Sequence, residues 1–192
     1  MNLPRVIADT PLAENIDESL EGKVEILPWD TPTDGEDSSI EGIYTYGHCQ
    51  VDSPLMDRLP GLKVISNYGV GVDHIDLDAA RRREIPVGNT PDVLNGATAD
   101  MAMALLLAAS RRLIEGDTFA RSPGFTHYDP GYMLGREAHS STMGIIGLGR
   151  IGLQIARRAV GFDMTILYHN RSPREDLPEG LGACYVSMDE LL

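Results

Sequence analysis

One stretch, Met143–Asn170, constrains the fold of this chain more than any other. It opens with a short apolar run, Met143–Ile146, which has the length and composition of a buried parallel strand. Gly147–Gly152 then matches the pattern G-x-G-x-x-G, and an amphipathic helix begins inside this motif and extends towards Gly161. A second apolar run, Met164–Tyr168, follows the helix. This order of strand, glycine turn, helix and strand predicts a βαβ unit that binds a dinucleotide.

Each glycine of the motif has a separate role in such a unit. Gly147 allows the tight turn, Gly149 lets the backbone approach a pyrophosphate, and Gly152 lets the helix pack closely on the strand. The N–H groups around Arg150 and Ile151, in the first helical turn, would face the phosphates with the positive end of the helix dipole behind them. A glycine-rich turn without a ligand is the alternative, and the strand–helix–strand context disfavours it.

The acidic composition of the chain limits its partners. Its 192 residues include 16 Lys and Arg against 29 Asp and Glu, which argues against a nucleic-acid-binding surface and requires any basic site to be local. Cys49 and Cys184 lie outside any C-x-x-C pattern, which indicates reduced thiols in a cytosolic protein. The N-terminus has no apolar signal core, and the longest apolar stretch, Met101–Ala109, is too short to span a bilayer. We therefore expect a soluble cytoplasmic protein with neither a membrane partner nor a metal site.

Residues 1–95 alternate short apolar runs with helical patterns. Such alternation predicts a compact α/β domain in which helices cover a parallel sheet. Thr31–Ser39 is predicted to be a polar, acidic loop without chemistry. The predicted strands are Arg5–Ala8, Lys23–Leu27, Gly42–Tyr46, Val64–Asn67 and Pro86–Gly88, and the predicted helices are Pro11–Glu21, Pro54–Leu59 and Leu77–Glu84.

Residues 96–192 carry a second α/β pattern. Thr98–Glu115 is apolar around most of its circumference, which predicts one helix, buried on several sides, that crosses between the domains. Phe119–Ser141 shows little periodicity, and a loop of that length is usually functional or contacts another chain. The strands Met143–Ile146, Met164–Tyr168 and Ala183–Val186 would form an incomplete doubly wound sheet. Met143–Ile146 would then be an apolar edge without a partner on one side, and so a pairing or aggregation site.

A second glycine-containing segment, Ser66–Asp76, follows a predicted strand. Gly69 and Gly71 flank Val70, and such a pattern allows successive backbone N–H groups to point into one anion-binding concavity. A carboxylate or a phosphate would suit that concavity. A tight turn without a ligand is an equally good interpretation of these residues.

These motifs together resemble those of the D-isomer-specific 2-hydroxyacid dehydrogenase family, and within it the glyoxylate/hydroxypyruvate reductases and 2-ketoacid reductases. The resemblance covers nearly the whole chain, and its motifs occur in family order. It rests on Gly69–Asp73 (GVGVD), Asn89–Pro91, Thr98–Asp100 with the apolar helix ending in Arg111–Arg112, and MGIIGLGRIG. It implies a flavodoxin-like substrate domain over residues 1–95, followed by the first part of a Rossmann domain over residues 96–192.

The resemblance also implies roles for matching positions. The backbone of Val70 and Gly71 would hold the carboxylate of a small 2-keto or 2-hydroxy acid. Arg150, Ile151 and Gly152 would contact the cofactor pyrophosphate, alongside Gly147 and Gly149 of the same motif, and Thr98 would lie near the nicotinamide. Members of the family are usually homodimers paired through their nucleotide domains, and Phe119–Ser141 is where we expect that contact. Tyr46–His48 would either line the substrate pocket or form a plain strand-end loop.

The residues after the second strand of the βαβ unit indicate which dinucleotide is preferred. NAD-selective members have an acidic residue at the strand end, which accepts hydrogen bonds from the ribose 2′-hydroxyl. Here His169 takes that place. Arg171, with help from Ser172 and Arg174, could bind a 2′-phosphate by charge-assisted hydrogen bonds. We therefore predict a preference for NADP(H), with NAD(H) as the second possibility.

The resemblance leaves the family's catalytic Arg, Glu and His unmatched. They lie later in the nucleotide domain than the residues of this chain, so no catalytic residue is assigned. The histidines that are present come too early to match, namely His48, His74, His127, His139 and His169. We expect the chain as written to be a fragment or truncated form that is inactive alone. The alternative is a non-catalytic nucleotide-binding or regulatory protein.

Overall fold

The computed structural model describes residues 3–31 and 39–192. Most of the predicted acidic loop Thr31–Ser39 lies outside the described residues. The chain divides into two compact units, Met1–Val93 and Leu94–Leu192. None of the helices in the described ranges is long and apolar enough to span a bilayer.

The first unit is built on a five-stranded parallel sheet, which confirms the predicted α/β class. The strands run in the order β2-β1-β3-β4-β5, the order of flavodoxin-like sheets. Its elements along the chain are β1 Arg5–Ala8, α1 Glu14–Leu20, β2 Glu25–Pro28, β3 Ile40–Thr45, α2 Ser53–Asp57, β4 Val64–Asn67, α3 Leu77–Arg82 and β5 Val87–Gly88.

Strand β3 lies at the centre of this sheet and forms its core. Ile40 and Ile43 on β3 are almost completely buried, as is Ile65 on the neighbouring β4. Helices α2 and α3 begin at aspartate caps. The Asp52 carboxylate accepts a hydrogen bond from the Leu55 N–H at 3.0 Å, and the Asp76 carboxylate accepts one from the Ala79 N–H at 2.8 Å. Each cap ends a loop that follows a strand, 46–51 after β3 and 68–75 after β4, and it fixes where the helix starts.

The second unit contains a three-stranded parallel sheet in the order β6-β7-β8. Among the described residues β6 pairs only with β7, so it lies at the predicted sheet edge, where the Ile146 side chain is 64% exposed. The elements are α4 Asn95–Ser110, α5 Leu113–Ala120, β6 Thr142–Ile146, α6 Arg150–Val160, β7 Thr165–His169, β8 Cys184–Tyr185 and α7 Met188–Leu191.

The long apolar helix predicted over Thr98–Glu115 is wrong in its bounds. Helix α4 begins three residues earlier, at Asn95, and ends at Ser110, and α5 begins after Arg112, which has a left-handed φ of 52°. The Ser110 carbonyl oxygen accepts a hydrogen bond from the Arg136 N–H at 2.8 Å. The incoming loop therefore takes an acceptor at the end of α4, where the helix gives way to a turn.

The predicted burial of this helix on several sides is also wrong within the second unit. Helix α4 packs against α6 along one side, where Ala99 and Met103 are buried. Met101 and Leu105, one helical turn apart, are 60% and 63% exposed. An apolar circumference shows that a helix can be buried on all sides, but it does not show which sides have neighbours.

Candidate functional site

The glycine turn between β6 and α6 has the backbone geometry of a phosphate-binding turn. Gly147 has a φ of 94°, which L side chains rarely adopt. A Cβ at Gly152 would lie 2.3 Å from the Gly147 carbonyl oxygen, so the helix meets the turn in backbone contact. A Cβ at Gly149 would have no described atom within 4 Å. The turn is therefore closed at Gly152 and open at Gly149.

The open side of the turn meets the start of helix α6. No side chain of the described residues caps this helix, and its N-cap, Gly149, is extended. The first turn of any α-helix leaves N–H groups without intrahelical acceptors, and the helix dipole gives this end partial positive charge. An anion placed over Gly149 would meet both features.

A cleft of about 680 Å³ lies beside the turn. Its lining brings together five of the residues predicted for the cofactor and includes no acidic side chain among the described residues. Thr98, Arg150, Ile151 and Gly152 are not part of the lining: Thr98 is exposed on α4, and the other three belong to the first turn of α6. The lining residues are Ile146, Gly147, Leu148, Gly149, His169, Asn170, Arg171, Ser172, Pro173, Arg174 and Met188.

His169 ends β7 where an acidic residue would favour NAD. Its Nδ1 atom lies 2.9 Å from the Val186 carbonyl oxygen, and its ring stacks on Tyr185 with the ring centroids 5.7 Å apart. These contacts hold the imidazole against β8. The strand end therefore presents no carboxylate to a ribose hydroxyl or to a 2′-phosphate.

The two cleft arginines differ in their surroundings. The Arg174 side chain is half-buried and forms a two-pronged ion pair with Asp176, with N–O distances of 2.9 Å and 2.6 Å. The hydrogen bond from Arg174 holds the pKa of the Asp176 carboxyl below its usual value. Arg171 is exposed, and within the described part of the chain its side chain makes no hydrogen bond or ion pair. Arg171 is thus the cleft cation that a ligand can engage without breaking an existing pair.

Asn170 was not singled out from the sequence as a site residue. Its Oδ1 atom accepts a hydrogen bond from the Leu148 N–H at 2.7 Å, across 22 positions of sequence. An asparagine directly after a strand often forms hydrogen bonds with nearby backbone groups. This tendency is the one feature of the sequence that could have pointed to Asn170. The partner in the glycine turn becomes apparent only once β6 and β7 are paired.

In the first unit, the predicted anion-binding segment is held by two asparagines. The buried Asn67 side chain donates hydrogen bonds to the carbonyl oxygens of Gly69 and Gly71, at 2.9 Å and 2.7 Å, and the Asn89 side chain donates one to the Val70 carbonyl oxygen at 2.9 Å. Within the described ranges, no hydrogen bond uses the N–H of Val70 or Gly71. Three successive carbonyls are thus engaged, and two N–H groups remain for an acceptor.

The strand-end loop Tyr46–His48 is organised by Asp9. The Asp9 carboxylate accepts hydrogen bonds from the Thr45 hydroxyl at 2.7 Å and from the N–H groups of Tyr46 and His48 at 2.9 Å and 3.0 Å. Burial raises the pKa of Asp9, but these hydrogen bonds outweigh burial and hold the pKa below its usual value. The loop is therefore fixed by an ionised carboxylate.

Comparison with known proteins places these features in a family. The family model described as the catalytic domain of D-isomer specific 2-hydroxyacid dehydrogenases matches residues 9–165. The chain is 40% identical, over an alignment of 202 positions including gaps, to a glyoxylate reductase of Thermococcus kodakarensis, and the match covers 98% of this chain and 60% of that enzyme. The chain spans about 60% of the length of the curated glyoxylate reductases of Thermococcus and Pyrococcus that match it over 98% of its own length.

Solved structures give the same result. One is an NADPH-dependent glyoxylate/hydroxypyruvate reductase from Sinorhizobium meliloti in complex with citrate, with a TM-score of 0.79 and 33% identity over 95% of this chain and 58% of that one. Another is a D-lactate dehydrogenase from Aquifex aeolicus in complex with NAD and lactic acid, with a TM-score of 0.83 and 27% identity over 98% of this chain and 57% of that one. The glycine turn, the parallel sheets and the family match lead to one conclusion: the chain belongs to the D-isomer-specific 2-hydroxyacid dehydrogenase family.

Proposed function

We propose that this chain supplies cofactor- and substrate-binding residues for the NADPH-dependent reduction of a small 2-keto acid, of the glyoxylate or hydroxypyruvate class, to the D-2-hydroxy acid, and that it does not catalyse this reaction alone. One observation carries the proposal: the cleft beside an open glycine turn contains the available cation Arg171 and no acidic side chain among its described lining residues. The similarity to glyoxylate reductases supports the substrate class. NAD(H) is the second candidate cofactor, because relatives are described with either dinucleotide.

The dinucleotide is assigned part by part to the cleft, to the start of α6 and to α4. The pyrophosphate lies against Gly147 and Gly149 and the first turn of α6, formed by Arg150, Ile151 and Gly152. Arg171 binds the 2′-phosphate, with Ser172 beside it as a hydroxyl donor. Thr98, on α4, is assigned to the nicotinamide side by resemblance alone. The bound dinucleotide supplies the hydride, and the residues of this chain bind and orient it.

The substrate proposal rests on the first unit. The N–H groups of Val70 and Gly71 hold the substrate carboxylate, since Asn67 and Asn89 already engage the carbonyls around them. We accordingly assign residues 1–95 to the substrate domain and residues 96–192 to the nucleotide domain. The two free thiols, Cys49 and Cys184, accord with the proposed cytoplasmic location.

The assembly proposal is a homodimer formed through the nucleotide domain. Two features of the second unit support it: the exposed side chains of Met101 and Leu105 on α4, and the segment 121–141, which contains no helix or strand. Within that segment Phe125 and Tyr132 pack on Phe119 of α5, with ring centroids 5.7 Å and 4.6 Å away. The segment thus has an ordered aromatic surface that a second copy could cover.

Substitutions at Gly152 and Gly149 should separate the effect of the turn on folding stability from its effect on cofactor binding. Gly152→Ala forces a Cβ into the Gly147 carbonyl, and we expect it to lower the free energy of unfolding by at least about 2 kcal/mol. Gly149→Ala has room within the described chain and should cost less than about 1 kcal/mol. Its methyl group occupies the space of the pyrophosphate, so we expect NADP⁺ affinity to fall at least about tenfold. Urea unfolding and titration calorimetry measure the two effects; unchanged NADP⁺ affinity in folded Gly149→Ala contradicts the assignment.

Arg171 should determine the preference between the two dinucleotides. Arg171→Ala removes the cation assigned to the 2′-phosphate, so NADPH affinity should fall about 10- to 100-fold while NADH affinity stays within about twofold. Arg157→Ala, an exposed arginine in the last turn of α6 and outside the cleft lining, is the matched control. Fluorescence titration with each dinucleotide gives the ratio. A ratio that is the same in wild type and Arg171→Ala means that the NADP(H) assignment is wrong.

We expect a polypeptide of these 192 residues to bind NADPH without oxidising it in the presence of glyoxylate or hydroxypyruvate. None of its side chains is matched to the Arg, Glu and His that polarise the ketone and transfer the proton in the family. The absorbance of NADPH, followed with a glyoxylate reductase run in parallel, measures turnover. A rate within about tenfold of that enzyme contradicts the expectation. Binding without turnover is also the outcome expected of a non-catalytic nucleotide-binding protein, the alternative function.

The exposed face of α4 should control assembly. Leu105→Glu places a charge on the apolar surface assigned to the dimer interface. We therefore expect the dissociation constant of the dimer to rise at least about tenfold. Leu77→Glu, at an exposed leucine of the first unit, is the matched control and should leave assembly unchanged. Sedimentation equilibrium measures both dissociation constants. A wild-type chain that remains monomeric at high micromolar concentration contradicts the homodimer.

A further inference from the structure

Both backbone polar groups of Leu148, in the middle of the glycine turn, are hydrogen-bonded to side chains. Its N–H donates to Asn170 Oδ1 at 2.7 Å, and its carbonyl oxygen accepts a hydrogen bond from Arg174 Nη1 at 3.0 Å. The Leu148 side chain is completely buried in the apolar core of the second unit. Within the described part of the chain, both polar groups that bond to the Leu148 backbone come from residues 170–174, which follow β7.

Arg174 is itself fixed in place by its neighbours. Its guanidinium forms the two-pronged pair with Asp176. The backbone N–H of Arg174 donates a hydrogen bond to the hydroxyl of the buried Tyr168 at 3.0 Å. Three of the five N–H donors of the guanidinium are thus used within the protein. Because most of its donors are already used, Arg174 is better suited to holding the backbone in position than to binding a ligand.

We propose that Asn170 and Arg174 are positioning residues, which clamp the backbone N–H and carbonyl of Leu148 and so set the glycine turn for the cofactor pyrophosphate. The inference rests on the proposed cofactor site and deepens it. Arg174 then acts on the turn, and the 2′-phosphate is left to Arg171 and Ser172. Asn170 and Arg171 are adjacent in sequence, but the first acts on the shape of the turn and the second on the charge of the cleft.

The clamp predicts a pattern that a charge contact cannot produce. Both dinucleotides carry the same pyrophosphate, so disturbing the turn should weaken both to the same extent. Asn170→Ala leaves the N–H of a buried residue without its acceptor, and the turn must shift to reach another one. Asn170→Asp keeps an oxygen acceptor at the same place and adds a negative charge to the cleft.

The test is titration calorimetry of the 192-residue chain with NAD⁺ and with NADP⁺. We expect Asn170→Ala to weaken both by a similar factor, about three- to tenfold. We expect Asn170→Asp, which brings negative charge to a cleft assigned to both the pyrophosphate and the 2′-phosphate, to weaken NADP⁺ more than NAD⁺. Hydrogen exchange of the Leu148 amide, measured on the same variants, should be faster in Asn170→Ala and unchanged in Asn170→Asp.

The outcomes separate this inference from the function on which it rests. If wild type binds neither dinucleotide, both fail. If wild type binds and Asn170→Ala loses affinity for NADP⁺ alone, or for neither, the clamp is overturned while the cofactor site stands. Should Asn170→Ala not fold, Arg174→Lys tests the hydrogen bond to the carbonyl oxygen of the same residue, Leu148. An equal loss for both dinucleotides in that variant supports the clamp, and a loss for NADP⁺ alone makes Arg174 a phosphate ligand.

Discussion

The second unit depends on one backbone contact, the approach of helix α6 to the turn that precedes it. With no side chain at Gly152, the helix can sit against the Gly147 carbonyl oxygen. That approach directs the first turn of α6 over the open side of Gly149, and it places the cleft between the turn and the end of β7. Anything larger than a hydrogen atom at Gly152 would move the helix start and the anion-binding geometry together.

The positions of charged groups around the cleft matter more for anion binding in this chain than its net charge does. The protein carries a net charge of −13, which gives no long-range attraction for an anionic dinucleotide or acid. The described lining of the cleft nevertheless contains no acidic side chain, since the end of β7 carries His169 and Asp176, which pairs with Arg174, is not part of the lining. In the proposed function, recognition of an anion therefore rests on short-range donors: backbone N–H groups, a helix end and Arg171.

The parts of the fold that follow local pattern were predictable from the sequence. Strands β1 and β4 and the glycine turn follow directly from apolar runs and glycine spacing, and two parallel sheets follow from alternation. The break after Ser110 was not predictable, since it depends on a loop that returns 26 positions later to bond the Ser110 carbonyl. The exposure of the Met101 side chain was not predictable either, because the hydropathy of a helix does not show which of its faces have neighbours. In the candidate site, glycine and arginine positions could be read, but the roles of Asn67 and Asn170 required knowledge of which backbone groups their amides reach.

The side-by-side placement of Asn170 and Arg171 has a consequence for how such a cleft can diverge during evolution. The asparagine amide faces the glycine turn, while the arginine carries charge at the exposed rim of the cleft. A change at position 171 alters the charge of the rim without removing a hydrogen bond from the buried Leu148. If Arg171 has the proposed role, cofactor preference can change through a single substitution at position 171 that leaves the hydrogen bonds of the glycine turn in place, and a lineage can then exchange one dinucleotide for the other without passing through an unstable intermediate.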